Sequence, residues 1–156
     1  MQFTTFVLAA LASVSTVSAS AVENQPRATV TVGLPNGDFN IRKDLAAGIN
    51  VTSVQAFPVG LPATECTLFW QFQPGFPVSQ SGASQVNVFD VNGNAPGALV
   101  GTFSVGAHDG AQHVINTFQC RNPLTVRFEI ASNDQPGSLS FQANAANGIF
   151  VKYNTQ

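Results

Sequence analysis

The chain has 156 residues, 44% of them apolar and only 9% charged, with a formal net charge of −2. That balance excludes a disordered polyelectrolyte. The six basic residues are dispersed, so neither nucleic acid nor an anionic membrane surface is expected as a partner.

Residues 1–21 read as a secretory signal peptide. Residues 6–14 (FVLAALASV) form an apolar run of hydrophobic-region length, too short to span a bilayer. The small residues Val17-Ser18-Ala19-Ser20-Ala21 offer cleavage after Ala19 or after Ala21. No later stretch is long and apolar enough for a membrane helix, and residues 151–156 are too polar for a lipid-anchor signal. The expectation is a soluble, released protein. Removal of residues 1–21 from the 156 leaves 135. A short tail, 22–27, then precedes one domain over 28–156, large enough to bury roughly two-thirds of its unfolded surface.

Within that domain apolar residues recur with period two between turn clusters, which is the pattern of half-buried strands. Strands are expected over 28–34, 49–57, 65–72, 85–91, 99–105, 114–120, 124–130, 138–143 and 149–153. Leu124, Val126, Phe128 and Ile130 share one face of the seventh, and Thr125, Arg127 and Glu129 the other. Turns such as Asn92-Gly93, Asp109-Gly110, Asn147-Gly148 and Pro136-Gly137 separate the runs. Residues 41–47 could form a single helical turn. Eight or nine short strands with short connections predict an all-β, antiparallel sandwich, or a barrel made by its closure. Most of the thirteen Phe belong in its core. Phe69, opposite in face to Trp70, and Phe76, in a Pro-Gly-Phe-Pro loop, are the candidates for exposure.

Two cysteines in an exported chain pair in an oxidising compartment. The expected disulfide joins Cys66 to Cys120. Alternation sets Cys66 with Leu68, Trp70 and Phe72, and Cys120 with Val114 and Phe118, so a buried bridge beside Trp70 is expected. Asn50-Val51-Thr52 is the single N-glycosylation sequon, which predicts an accessible Asn50.

Catalytic constellations are sparse. The eight acidic residues, Glu23, Asp38, Asp44, Glu65, Asp90, Asp109, Glu129 and Asp134, fall mainly in turns or on solvent-facing strand positions, not as a pair across a cleft. His108 and His113 are too few for a zinc site. Ser104 in Gly101-Thr102-Phe103-Ser104-Val105-Gly106 has one residue too many before it for a nucleophile elbow, and it sits in a strand. No catalytic residue, metal ligand or cofactor motif is assigned.

One resemblance adds direction. Residues Cys66-Thr67-Leu68-Phe69-Trp70-Gln71-Phe72-Gln73-Pro74, Ser81-Gly82, Val86-Asn87-Val88-Phe89 and Phe118-Gln119-Cys120 resemble a fungal family named for the C-terminal domain of a ubiquitin-3-binding protein. So do Leu139-Ser140-Phe141 and Gly148-Ile149-Phe150-Val151. The similarity covers about 49–153. It implies a β-rich, non-catalytic domain of fungal origin and transfers no functional residue.

The function expected is therefore that of a secreted, extracellular binding protein, associated with a cell wall or directed at a host, with a protein or polysaccharide partner. A structural wall component without a specific partner is the competing reading, and a wall hydrolase the minority one. The residues expected to bind are Phe57, Leu61 and Phe76, in the loops 57–63 and 73–84 that flank the Trp70 strand.

Overall fold

The computed structural model describes residues 27–34, 37–106 and 108–155. The expected signal peptide, the rest of the tail before Arg27 and Glu23 lie outside them. The described chain forms β1 (Ala28–Gly33), β2 (Asp38–Asp44), β3 (Ile49–Val51), β4 (Ser53–Phe57), β5 (Ala63–Gln71) and β6 (Ser79–Gly82). These are followed by β7 (Val86–Asp90), β8 (Leu99–Phe103), β9 (His113–Phe118), β10 (Leu124–Ile130), β11 (Gly137–Gln142) and β12 (Gly148–Thr155). No described residue is helical, so no described helix is long and apolar enough to cross a membrane.

All pairing is antiparallel, in three four-stranded sheets. Sheet I has the order β1-β12-β5-β9, sheet II β3-β2-β11-β6, and sheet III β4-β10-β7-β8. Each ends in edge strands, so the architecture is a sandwich and not a closed barrel. Twelve strands replace the eight or nine expected, for three local reasons. The run 49–57 is broken at Thr52, so that β3 ends sheet II and β4 begins sheet III. β2 occupies residues expected to be a helical turn; its inward positions are Phe39, Ile41 and Lys43, and a lysine in the third hides the alternation. β6 (SQSG) contains no apolar residue at all.

The core fuses the sheets through aromatic side chains. Phe72, directly after β5 of sheet I, meets Phe141 of sheet II edge to face at 4.9 Å, and Phe39 of sheet II meets Phe128 of sheet III at 5.3 Å. Such contacts add to the area each ring buries. Lys43 reaches inward and is satisfied by the Ile130 carbonyl at 3.4 Å and Asn133 Oδ1 at 2.9 Å, as a buried ammonium requires.

The disulfide joins Cys66 to Cys120 with a Cα–Cα distance of 5.2 Å. It does not lie beside Trp70. Cys66 pairs with Phe118 at one end of the β5–β9 ladder, and Trp70 pairs with His113 at the other. The register shifts between Leu68 and Phe69, where β9 carries an extra residue. That bulge reverses the face parity. Val114 therefore pairs with the outward Phe69 and is exposed, instead of sharing the face of Phe118. A second irregularity sits on β5, where Glu65 takes a φ of 59° opposite β12.

Candidate functional site

The three residues expected to bind are not brought together. Phe57 pairs with Leu124 and is fully buried in the core. Leu61 is exposed, in the segment entering β5, where Gly60 N–H donates to the Tyr153 hydroxyl at 3.0 Å. Phe76 follows the other end of β5, half-buried and stacked on Phe72 at 5.5 Å. The loops before and after a nine-residue strand sit about 26 Å apart, so they form no common patch. Phe69 is buried as well, stacked on Phe150 at 5.5 Å.

Phe76 has a different role. Its stack on Phe72 pins the segment that continues through Pro77 and Val78 into β6, and that segment walls a groove of about 880 Å3 on sheet II. The opposite wall and floor come from Asp38, Asn40, Ser140 and Gln142. The register explains why these side chains are collinear. Ser140 pairs with both Ser79 and Asn40, Ser138 with both Ser81 and Arg42, and Gln142 with Asp38. Alternation turns Leu139 and Phe141 inward and leaves Ser138, Ser140 and Gln142 on the outer face. The result is a comb of hydroxyl and amide groups across three strands, with Ser81 and Ser138 hydroxyls 2.9 Å apart. Beyond them lies a second concavity of about 400 Å3, which Arg42 and Gly137 help to line. The polar alternation of β11 is readable in the sequence; the neighbours that complete the comb belong to β2 and β6, the two strands not expected.

The carboxylates are scattered, but two are not simply solvated. Asp90 is buried on the inward face of β7, contrary to expectation. Its Oδ1 accepts from Gly93 N–H at 2.6 Å and its Oδ2 from Ala95 N–H at 3.2 Å, so it folds the β7–β8 connection back on itself. Asp109 accepts from His113 Nε2 at 3.0 Å, and the imidazole lies flat on Trp70, ring centroids 4.0 Å apart. His108 faces Phe72 instead, at 5.7 Å. Among the described residues no group of three or more His, Cys, Asp or Glu side chains is arranged to hold a metal.

The His113 contact, then the Ala111 N–H, holds the Asp109 carboxyl below its ordinary 3.8. A depressed folded-state pKa favours the fold while the group is ionised, and that contribution disappears as pH falls from 3.8 through the folded value. Wild type should therefore lose melting temperature more steeply than Asp109→Asn over that window. Parallel melting curves from pH 5 downward would contradict the contact.

Asn50 is exposed on the edge strand β3, as the sequon expectation requires, with Thr52 half-buried and Val51 exposed beside it. No family model, curated protein or solved structure matches the chain.

Proposed function

We propose that the mature chain is a secreted, non-catalytic binding protein whose ligand is a neutral, hydroxyl-rich polymer, such as the polysaccharide of a cell wall. The observation that carries this reading is the comb of Asn40, Ser79, Ser140 and Gln142 in the sheet II groove. Hydroxyls and amides both donate and accept, so they match sugar hydroxyls in either sense. The groove is open to solvent, as a polymer site must be, and most of its lining stands on strands β2, β6 and β11. The signal peptide read at residues 1–21 and the disulfide are compatible with an extracellular setting. The resemblance read from the sequence implies only that the domain is non-catalytic.

Retention on insoluble wall polysaccharide tests it. Asn40→Ala with Gln142→Ala removes two exposed side chains without touching the core. At about 0.5–1.5 kcal/mol per neutral hydrogen bond, the pair should weaken binding roughly tenfold or more. Leu61→Ala should change nothing. Equal retention of wild type and the double variant would defeat the site. Capture of a host protein in place of glycan would shift the partner class, and no retention on any bait would favour a structural wall component.

The hydrolase reading has one observation in its favour, the hydrogen-bonded His113–Asp109 pair. The hydrogen bonds of His113 include no serine, threonine or cysteine, which a nucleophilic mechanism needs beside the imidazole.

A further inference from the structure

The three sheets treat their outer faces differently. Sheet I buries its outward aromatics against each other, Phe69 on Phe150, with exposed Val114 only at its edge. Sheet II is polar, with Val51 at its edge. Sheet III carries a row across all four strands in which two exposed aliphatic side chains flank an arginine and a phenylalanine. Val54 pairs with Arg127, Arg127 with Phe89, and Phe89 with Leu99. Val54 and Leu99 are 56% and 54% exposed, and Val91 lies next to the row at 39%.

We propose that this face is a self-association surface, on which a second copy of the chain docks about a twofold axis parallel to the strands. The order aliphatic–Arg–Phe–aliphatic carries the inference, because an isologous contact must match its own reverse. An axis running between β10 and β7 lays Val54 on the partner's Leu99 and Arg127 on the partner's Phe89. The neighbouring row then sets Glu129 against the partner's Asn87, a carboxylate facing an amide donor. The chemistry within each row is complementary: aliphatic to aliphatic, cation to ring, acceptor to donor. The Arg127 guanidinium already lies over its own Phe89, 4.7 Å from the centroid, so this cation and this ring are suited to each other. Its Nη2 lies 3.7 Å from Glu129, an ion pair along β10 that holds the side chain over the sheet. No lysine interrupts the face, and Arg with an aromatic at the centre is the composition of interface cores.

Size sets the strength. Three strand spacings of about 4.8 Å and three residue rows cover roughly 300–400 Å2 per copy, about half of what a stable dimer buries on each side. Association in the range of about 0.1–1 mM is expected. Molecules concentrated on one polymer would reach that range, and a dimer would offer two grooves to it.

Sedimentation equilibrium on the secreted chain, with any Asn50 glycan removed enzymatically, decides the matter without any ligand. From about 10 μM to about 1 mM the apparent mass should rise towards that of a dimer. Leu99→Lys should weaken association about tenfold or more, because it places a charge opposite the partner's Val54. Leu45→Lys, at an equally exposed position in the turn after β2, should leave association unchanged. A mass that stays monomeric overturns the proposal. So does Leu99→Lys associating as wild type does, or both lysine variants weakening it equally.

Discussion

Replacing both cysteines, Cys66→Ala with Cys120→Ala, is expected to lower unfolding free energy by about 4 kcal/mol. The bond spans 54 residues, and the entropy that such a cross-link removes from the unfolded chain gives that magnitude at 25 °C. Domains of this size are stable by only about 5–15 kcal/mol, so the loss is a large share of the total. The folded side adds a local consequence. Cys120 anchors the segment on which the β7–β8 connection rests. Arg121 donates to the Asn92 carbonyl at 3.1 Å and to the Asn94 side chain, while Asn92 donates to the Pro123 carbonyl at 2.8 Å and accepts from Thr125 N–H at 3.1 Å. Urea unfolding of wild type beside the double variant measures the effect, with a larger slope for the variant because its unfolded chain is less constrained. A loss below about 1 kcal/mol would show that loop closure is not what the bridge contributes.

Gly137→Ala should have the second largest effect, about 3 kcal/mol, and should abolish groove binding with it. A Cβ at position 137 would stand 1.8 Å from the backbone oxygen of Ala83 and 2.8 Å from its carbonyl carbon. Neither is a flexible side-chain tip, so the backbone itself has to move, which costs about 1–3 kcal/mol and sometimes more. The part free to move is β6, an edge strand of four exposed residues that pairs only with β11. Its departure takes Ser79 and one wall away from the groove. Gly106→Ala is the matching control, since a Cβ there meets nothing within 4 Å. Polysaccharide retention and thermal melting of the two variants give the comparison. A Gly137→Ala protein that melts and binds as wild type would show that β6 does not shape the site.

Some of this arrangement is visible in the residues and some is not. The strict alternation of residues 124–130 marks β10 with its bounds, and the cysteine count and setting leave one pairing. Side-chain periodicity, however, reports a strand only where one face is apolar. Lys43 in an inward position conceals β2, and Ser79-Gln80-Ser81-Gly82 has no apolar position to reveal β6. Those two strands supply half the groove, so the site could not be assembled from pattern alone. Phe57 fails as a surface residue for a related reason: it shares parity with Ser53 and Gln55, which are also buried, and polar neighbours on the inward face make that face look solvent-bound. The bulge in β9 shows a further limit. One extra residue moves Val114 from core to surface, and nothing in composition announces it.

The pairing of β1 with β12 places Ala28 opposite Thr155, so the first and last strands of the domain are neighbours in sheet I. A chain emerging from the ribosome in order has nowhere to dock β1 until residue 155 is free. β12 also separates β1 from β5, so sheet I closes only once β12 is in place. Sheet I therefore forms through contacts of long sequence separation, which places folding on the slow side of the range for its size. Until then β1 exposes an unpaired apolar edge.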